Sequence, residues 1–308
     1  MDFAQHLYLV TGKGGVGKTT VATAMATALA RDGAKVLLAE INGGDRVPNL
    51  LGMEPVGYAM REVFDNLFVM DITSQEALKE YVLLVIRIEA LYKAVFENRL
   101  VSSFLRLLPA LGELTMLGKI WYELQQRRHG RPRFDAVVVD LPATGHARAL
   151  LEAPRAVRDS IGAGPMKDNA ERLDAMLKDR ALTSLHVVTT PEEMPITEAQ
   201  ELLALAQNLP MACAPLIINQ QTAPLRPEWL HAIEPWQQDK VLHQVPQTLA
   251  KREQRRQDAE VLLQALVPDA LNGAIRLPHV LGGAFDLSTL EALGARIIKP
   301  ANVGEETP

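Results

Sequence analysis

Apolar residues in this chain fall into short continuous runs separated by longer stretches with helical spacing. The strand candidates are Leu7-Tyr8-Leu9-Val10, Lys35 to Glu40, Leu67 to Met70, Ala136 to Asp140, Leu185 to Thr189, Leu216 to Asn219 and Val241-Leu242. Continuous rather than alternating apolar runs indicate strands buried on both faces, as parallel strands are when helices cover them. Between the first two runs, Lys18 to Arg31 is rich in Ala and Thr and predicts a helix, with Gly33 placed to stop it. Strand and helix in alternation predict an α/β fold on a doubly wound, mostly parallel sheet.

One region breaks the rhythm. From about Gln75 to Gln126 no strand pattern appears, and Leu78, Val82, Val85, Ile86, Leu100, Phe104, Leu107, Leu108 and Leu111 recur at helical spacing. This predicts a helical insertion, about residues 75–130, ended by the basic turn Arg127 to Pro132. A second helical stretch runs from Ala147 to Lys178, interrupted at Gly162 to Pro165. The acidic tail from Val303 to Pro308 is expected to fray. The chain shows no internal repeat, so residues 1–308 read as one domain with the insertion inside it.

Composition narrows the class. The 308 residues are 48% hydrophobic but only 5% aromatic, which is Leu/Ala/Val-rich material suited to helices and parallel strands. A chain of this length buries a sizeable core without disulfides or metals. A net charge of −5 gives no global basic footprint, so no nucleic acid partner is expected. Cys213 is the only cysteine, which excludes an intramolecular disulfide and a zinc site built from cysteines within one chain. Ahead of an apolar run, Cys213 reads as a buried small hydrophobe. The N-terminus lacks the basic and apolar regions of a targeting peptide. The longest apolar-looking stretch, Ala77 to Phe96, carries Lys79, Glu80, Arg87, Glu89 and Lys93, too many charges for a membrane span. A soluble, cytoplasmic protein is expected.

The chemistry lies first in Gly12-Lys13-Gly14-Gly15-Val16-Gly17-Lys18-Thr19, which fits the P-loop pattern between a strand and a helix. Glycines 12, 14, 15 and 17 let the backbone curl and aim its N–H groups at phosphate oxygens, and Val16 and Thr20 belong to the same cradle. The helix beginning near Lys18 adds its positive dipole end. Lys18 is placed to neutralise β/γ-phosphate charge and the Thr19 hydroxyl to ligate Mg²⁺, so ATP and Mg²⁺ are the expected ligands. Lys13 adds a second cation beside the phosphates. It marks the deviant Walker A class, in which this lysine reaches across a dimer interface like an arginine finger; a solvated loop lysine is the competing reading.

The second motif is Val137-Val138-Val139-Asp140, followed by Thr144-Gly145-His146. A carboxylate ending a buried strand fits a Walker B role toward Mg²⁺, with a helix-capping Asp as the alternative. With Thr190 to Pro195, Ile218-Asn219-Gln220 and Ile275-Arg276-Leu277-Pro278, these motifs span nearly the whole chain. Together they resemble the bacterial ArsA/Get3 family of ATPases, within the wider group that includes MinD and ParA. The resemblance implies that Asn219 hydrogen-bonds the adenine edge and that Leu277, Pro278 and His279 line the base. It also implies a homodimer.

The chain departs from that family at one point. The family's switch I carries an Asp that positions the attacking water, and Asn42 stands there, followed by Gly43-Gly44-Asp45. Asn orients water but accepts no proton. Glu40, on the same side as Asn42 if the chain stays extended, or Asp45 are the carboxylates at hand, and Glu40 also reads as a strand-end carboxylate without chemistry. Hydrolysis is therefore expected with its rate open. A single cysteine also leaves the family's Cys-x-x-Cys zinc site absent and a thiolate arsenite site unsupported.

The helical insertion is the clue to a client. Tyr81 to Ile86, Ile88, Leu91 and Phe96 are apolar nearly all round, and Met116, Met166 and Met176 offer an adaptable lining. In Get3-like proteins this region forms a groove for membrane-anchor helices. Ordinary burial explains the same pattern. Three functions follow, in order of fit: an ATP-driven homodimer handling a hydrophobic protein client, a nucleotide-dependent regulatory or scaffold module with little turnover, and the energising subunit of an oxyanion pump.

Overall fold

The computed structural model describes residues 6–86, 110–233, 242–280 and 286–299, together with Trp236 and Gln238. At the centre is β1 (Leu7–Gly12), buried at every position. It pairs in parallel with β7 (Ala136–Asp140) on one side and β8 (Thr183–Thr189) on the other. Beyond β7 come β2 (Val36–Ile41), β4 (Leu67–Ile72) and the antiparallel edge strand β3 (Arg61–Phe64). Beyond β8 come β10 (Ile217–Gln221) and β11 (Ile275–Pro278), while the short β9 (Ala212–Cys213) also pairs with β8. The sheet order is β11-β10-β8-β1-β7-β2-β4-β3, which makes it the doubly wound, mostly parallel sheet of a P-loop NTPase.

Residues on alternate sides of β1 feed two cores. Tyr8 and Val10 pack with α1 (Lys18–Arg31) and α10 (Leu287–Ile298); Leu7 and Leu9 join the core on the opposite face. The second face is covered by α4 (Leu111–Gln125), α5 (Thr144–Ser160), α6 (Pro165–Lys178), α7 (Glu193–Asn208) and α9 (Val245–Leu266). Small side chains let α1 pack closely. A Cβ added to Gly294 of α10 would lie 2.1 Å from the Ala24 carbonyl oxygen. The remaining described helices are α2 (Arg46–Leu50), α3 (Ser74–Ile86) and α8 (Pro227–Ile233), with a 3₁₀ turn at Pro268–Leu271.

Four sequence expectations change. Val241 lies outside the described residues and Leu242 is in a turn, not a strand; two apolar residues between Lys240 and His243 are too few for a ladder. The edge position at that end belongs to β11. The hairpin strand β3, in which Arg61 and Glu62 are exposed and Val63 and Phe64 half-buried, went unpredicted because an edge strand lacks the continuous apolar run. Cys213 is exposed, because β9 is a two-residue edge strand, while Met211 and Leu216 on either side take the burial. Met116 and Met176 are 3% and 4% exposed and belong to the main core, leaving only the partly buried Met166 near the helical region's surface. Of the expected insertion, α3 and α4 are helical, and Arg127 to Pro132 is a tight hairpin of β5 (Arg127–Arg128) and β6 (Arg131–Pro132) turned by His129 and Gly130, both at positive φ. The positions named at Ile88, Leu91, Phe96, Leu100, Phe104, Leu107 and Leu108 lie outside the described residues, as does the tail 301–308.

Candidate phosphate site at the carboxyl ends of the central strands

The loop from Gly12 to Gly17 leaves the central strand and enters α1. Parallel sheets gather their loops at the carboxyl ends of the strands, which is where ligands bind in such folds. Gly17 sits at φ 88° as the N-cap of α1, and a Cβ there would meet Asn219 Nδ2 at 2.4 Å, so only glycine fits. The first turn of α1 has no acidic residue and no side-chain cap, so its N–H groups and dipole stay free for an anion. Gly14 and Gly15 face open space.

Two lysines hold this loop. Lys18 is buried and donates from Nζ to the Lys13 carbonyl at 3.0 Å. Burial pulls its ammonium below the usual range, against the opposing effect of Asp140. Lys13 Nζ instead donates to Glu198 Oε1 on α7. The other oxygen of Glu198 accepts from Thr144 Oγ1 at 2.6 Å. Partial desolvation would raise the Glu198 carboxyl, but the bonds from Lys13 and Thr144 outweigh it and hold the group below its ordinary value.

Thr19 Oγ1 donates to Asp140 Oδ2 at 2.6 Å, joining the first turn of α1 to the end of β7. Asp140 Oδ1 is buried with no hydrogen-bond partner among the described residues. Burial raises the Asp140 carboxyl, and the Thr19 hydroxyl offsets part of that rise. A hydroxyl and a buried carboxylate with an unused oxygen suit a hard divalent cation. The donor set therefore fits Mg²⁺.

β2 and β4 add two more carboxylates beside it. Glu40 stands in register with Asp140 on one side and Asp71 on the other. Asp71 accepts from the N–H groups of Gly43 and Gly44 at 2.9 and 2.8 Å, pinning the loop after β2. Glu40 is 0% exposed and lies directly beneath Gly43, where an added Cβ would sit 2.3 Å from Oε1. Burial pushes its carboxyl up to about 7, against the pull of the Val47 N–H, and the Asp71 and Asp140 carboxylates add to the rise.

Asn42 does not continue the strand. It takes φ 49°, so the extended geometry that would keep it level with Glu40 ends at Ile41. Its Oδ1 accepts from the Ser74 N–H at 3.3 Å and its Nδ2 meets Met116 Sδ at 3.6 Å. Asp45 Oδ1 accepts from the Val56 and Gly57 N–H groups, both at 3.0 Å. Asn219 Nδ2 donates to the Val16 carbonyl at 2.9 Å, tying the end of β10 to the loop. Leu277 is sealed in the core at 0% exposure, so, against the sequence expectation, it offers no surface to a base; Pro278 and His279 are exposed. A cavity of about 740 Å³ opens past β8 and β10, walled by Thr190, Gln220, Thr222, His279, Arg252 and Arg255.

Glu198 and Asp71 are the polar residues that sequence reasoning missed. Glu198 follows the Thr190 to Pro195 motif by three residues, and three glutamates in that stretch were the only signal.

Residues 5–164 and 164–255 match the family described as anion-transporting ATPase. The chain is 28% identical over 279 residues to the ATPase BagA of Mycobacterium tuberculosis, covering 89% of this chain and 75% of that protein. It is 24% identical over 245 residues to an ATPase ASNA1 homolog of Babesia bovis, covering 68% and 65%. Against the arsenical pump-driving ATPase of Escherichia coli it is 30% identical over 172 residues, covering 54% of this chain and 29% of the relative.

Proposed function

The chain belongs to the anion-transporting ATPase family, and from that premise we propose that it is a Mg²⁺-dependent ATPase whose catalytic site is completed by a second copy of itself. The observation that carries this reading is the loop from Lys13 to Thr19 between the central strand and α1, with Thr19 bonded to Asp140. In it, the free N–H groups of the loop and Lys18 bind the phosphates. Thr19 and Asp140 hold Mg²⁺, which neutralises charge on the phosphate oxygens when bound. Asn219 braces the loop through Val16 and meets the adenine edge, with Pro278 and His279 beside the base. Lys13 serves the partner's site as the added cation of the deviant Walker A class.

Of the three groups near switch I, Glu40 is the carboxylate this reading assigns to the attacking water. Asp45 is engaged with Val56 and Gly57, and Asn42 with Ser74 and Met116, whereas both carboxylate oxygens of Glu40 are buried beneath Gly43 without a hydrogen-bond partner among the described residues. Movement of residues 42–45 would uncover it, and a carboxyl near 7 suits a group that takes up a proton at neutral pH.

The client is a hydrophobic protein segment. Supporting this, a cavity of about 430 Å³ opens between α3, α4 and α6, with Tyr81, Leu114, Trp121, Tyr122 and Leu173 in its lining beside the charged Glu80, Lys119 and Arg172. Among the described residues no helix is long and apolar enough to cross a membrane. A regulatory module with little turnover is the second reading, favoured by Asn42. A pump role through thiolates has the least support, since the one cysteine lies on β9.

An ATPase assay across protein concentration, with sizing in ATP and in ADP, tests the proposal. A rate per chain that rises with concentration, alongside an ATP-dependent dimer, is expected. A constant rate per chain from a monomer throughout contradicts it, and binding without hydrolysis selects the regulatory reading.

A further inference from the structure

Glu198 binds three separate pieces of the site together. Its Oε1 takes the Lys13 ammonium from the P-loop, its Oε2 takes the Thr144 hydroxyl at the first residue of α5, and it stands itself on α7. Thr144 is four residues past Asp140, so the same carboxylate reaches both the phosphate loop and the segment that follows the Mg²⁺-holding strand. The ion pair is half-open: the side chains of Lys13 and Glu198 are 28% and 24% exposed. Groups with that exposure are held in place yet remain within reach of a partner surface.

We infer that Glu198 is a latch that retains Lys13 on its own subunit and releases it when a second, ATP-loaded subunit competes for the ammonium. The inference rests on the shared-site reading, in which Lys13 acts on the neighbour's phosphates. One ammonium cannot stay on Glu198 and serve a site across an interface. The phosphates of the second subunit carry more negative charge than one carboxylate, so they draw Lys13 off once they come near. Departure of Lys13 removes the cation that depresses the Glu198 carboxyl and leaves Thr144 bonded to a carboxylate free to turn. Dimer formation is thereby communicated to the start of α5, next to Asp140, through one side chain. Glu198 is a positioning residue here, acting through Lys13 and Thr144.

Glu198→Gln removes the charge and keeps the shape; Glu198→Asp restores the charge on a shorter arm; Thr144→Val removes only the hydroxyl. The first readout is the rate at which an amine-directed acylating reagent labels Lys13 in dilute, nucleotide-free protein, followed by peptide mass spectrometry. It depends on the ion pair and not on dimerisation. Labelling of Lys13 is expected to rise about three- to tenfold in Glu198→Gln and less in Glu198→Asp. The second readout is the protein concentration giving half-maximal ATPase rate, expected to fall by a similar factor in Glu198→Gln, with unchanged melting temperature. Unchanged labelling in Glu198→Gln overturns the latch. Raised labelling with an unshifted half-maximal concentration overturns its control of dimerisation. A wild-type rate per chain that ignores concentration overturns the shared-site reading and the inference with it, and the labelling then reports on the ion pair alone.

Discussion

Thr19 Oγ1 and Asp140 Oδ2 lie 2.6 Å apart, one in the first turn of α1 and the other at the end of β7, which ties the two elements proposed to share a Mg²⁺ ion. The unused Oδ1 makes Asp140 costly to the fold and useful to a cation. Asp140→Asn is expected to leave the melting temperature of the nucleotide-free protein unchanged or higher. It should abolish the dependence of ATP affinity on Mg²⁺, so that affinities with Mg²⁺ and with chelator converge. Isothermal titration in both conditions measures this. A variant that keeps the Mg²⁺ effect shows that Asp140 does not hold the metal.

Lys18 and Lys13 should separate binding from turnover. Lys18 is buried against the loop and Lys13 points away to α7. Lys18→Ala is expected to weaken ATP binding at least about tenfold and abolish hydrolysis. Lys13→Ala should keep affinity within about threefold while lowering turnover by about 10³-fold, the scale of an arginine finger. Equal turnover in Lys13→Ala and wild type contradicts its role in the neighbour's site.

Glu40 predicts a pH dependence of stability. Its carboxyl is pushed up to about 7 in the fold, against a value of 4.5 without that environment. Between those values the folded protein holds a proton that the unfolded chain has released, so stability falls as pH rises through this window and levels off above it. Glu40→Gln removes this loss. Its stability relative to wild type should therefore grow from pH 4.5 to pH 8, by about 3 kcal/mol at most. Denaturant melts of nucleotide-free protein at several pH values measure the gap; a gap constant with pH means that Glu40 is charged in the fold throughout.

The seating of α1 depends on Gly294. With the Ala24 carbonyl 2.1 Å from where a Cβ would stand, Gly294→Val forces α10 away from the helix that carries Lys18 and Thr19. A loss of about 1–3 kcal/mol is expected, with a lower melting temperature and weaker ATP binding together. An unaltered melting temperature would show that the two helices part without cost.

The sequence made the nucleotide end of this molecule legible and left its wiring hidden. The places of Gly12 to Thr19 between β1 and α1 and of Asp140 at the end of β7 were readable because their signals are local: glycines at set spacing, and a carboxylate ending an apolar run. The strands around β1 were readable because burial on both faces makes their runs continuous. Glu198 was not readable, since its partner Lys13 is 185 residues away and a helix-surface glutamate has no distinctive neighbours. Asp71 was hidden in the same way, as its role depends on where Gly43 and Gly44 turn. The turn at Asn42 also escaped, because period-two reasoning holds only while the chain stays extended and the left-handed φ there ends that. Exposure of Cys213 was missed because an apolar run does not reveal which of its residues lies on an edge.

Mixing Lys13→Ala with Lys18→Ala tests the shared site most directly. The first keeps an intact phosphate loop and the second keeps an intact Lys13, so each lacks what the other brings. Differently tagged chains allow the mixed dimer to be isolated and its ATPase rate measured at saturating ATP. A rate well above the sum of the two variants alone, approaching half that of the wild-type dimer, is predicted, because one site in the mixed dimer has both its own Lys18 and the neighbour's Lys13. A mixed dimer that forms yet hydrolyses no faster than that sum would contradict the shared site and return Lys13 to its own subunit.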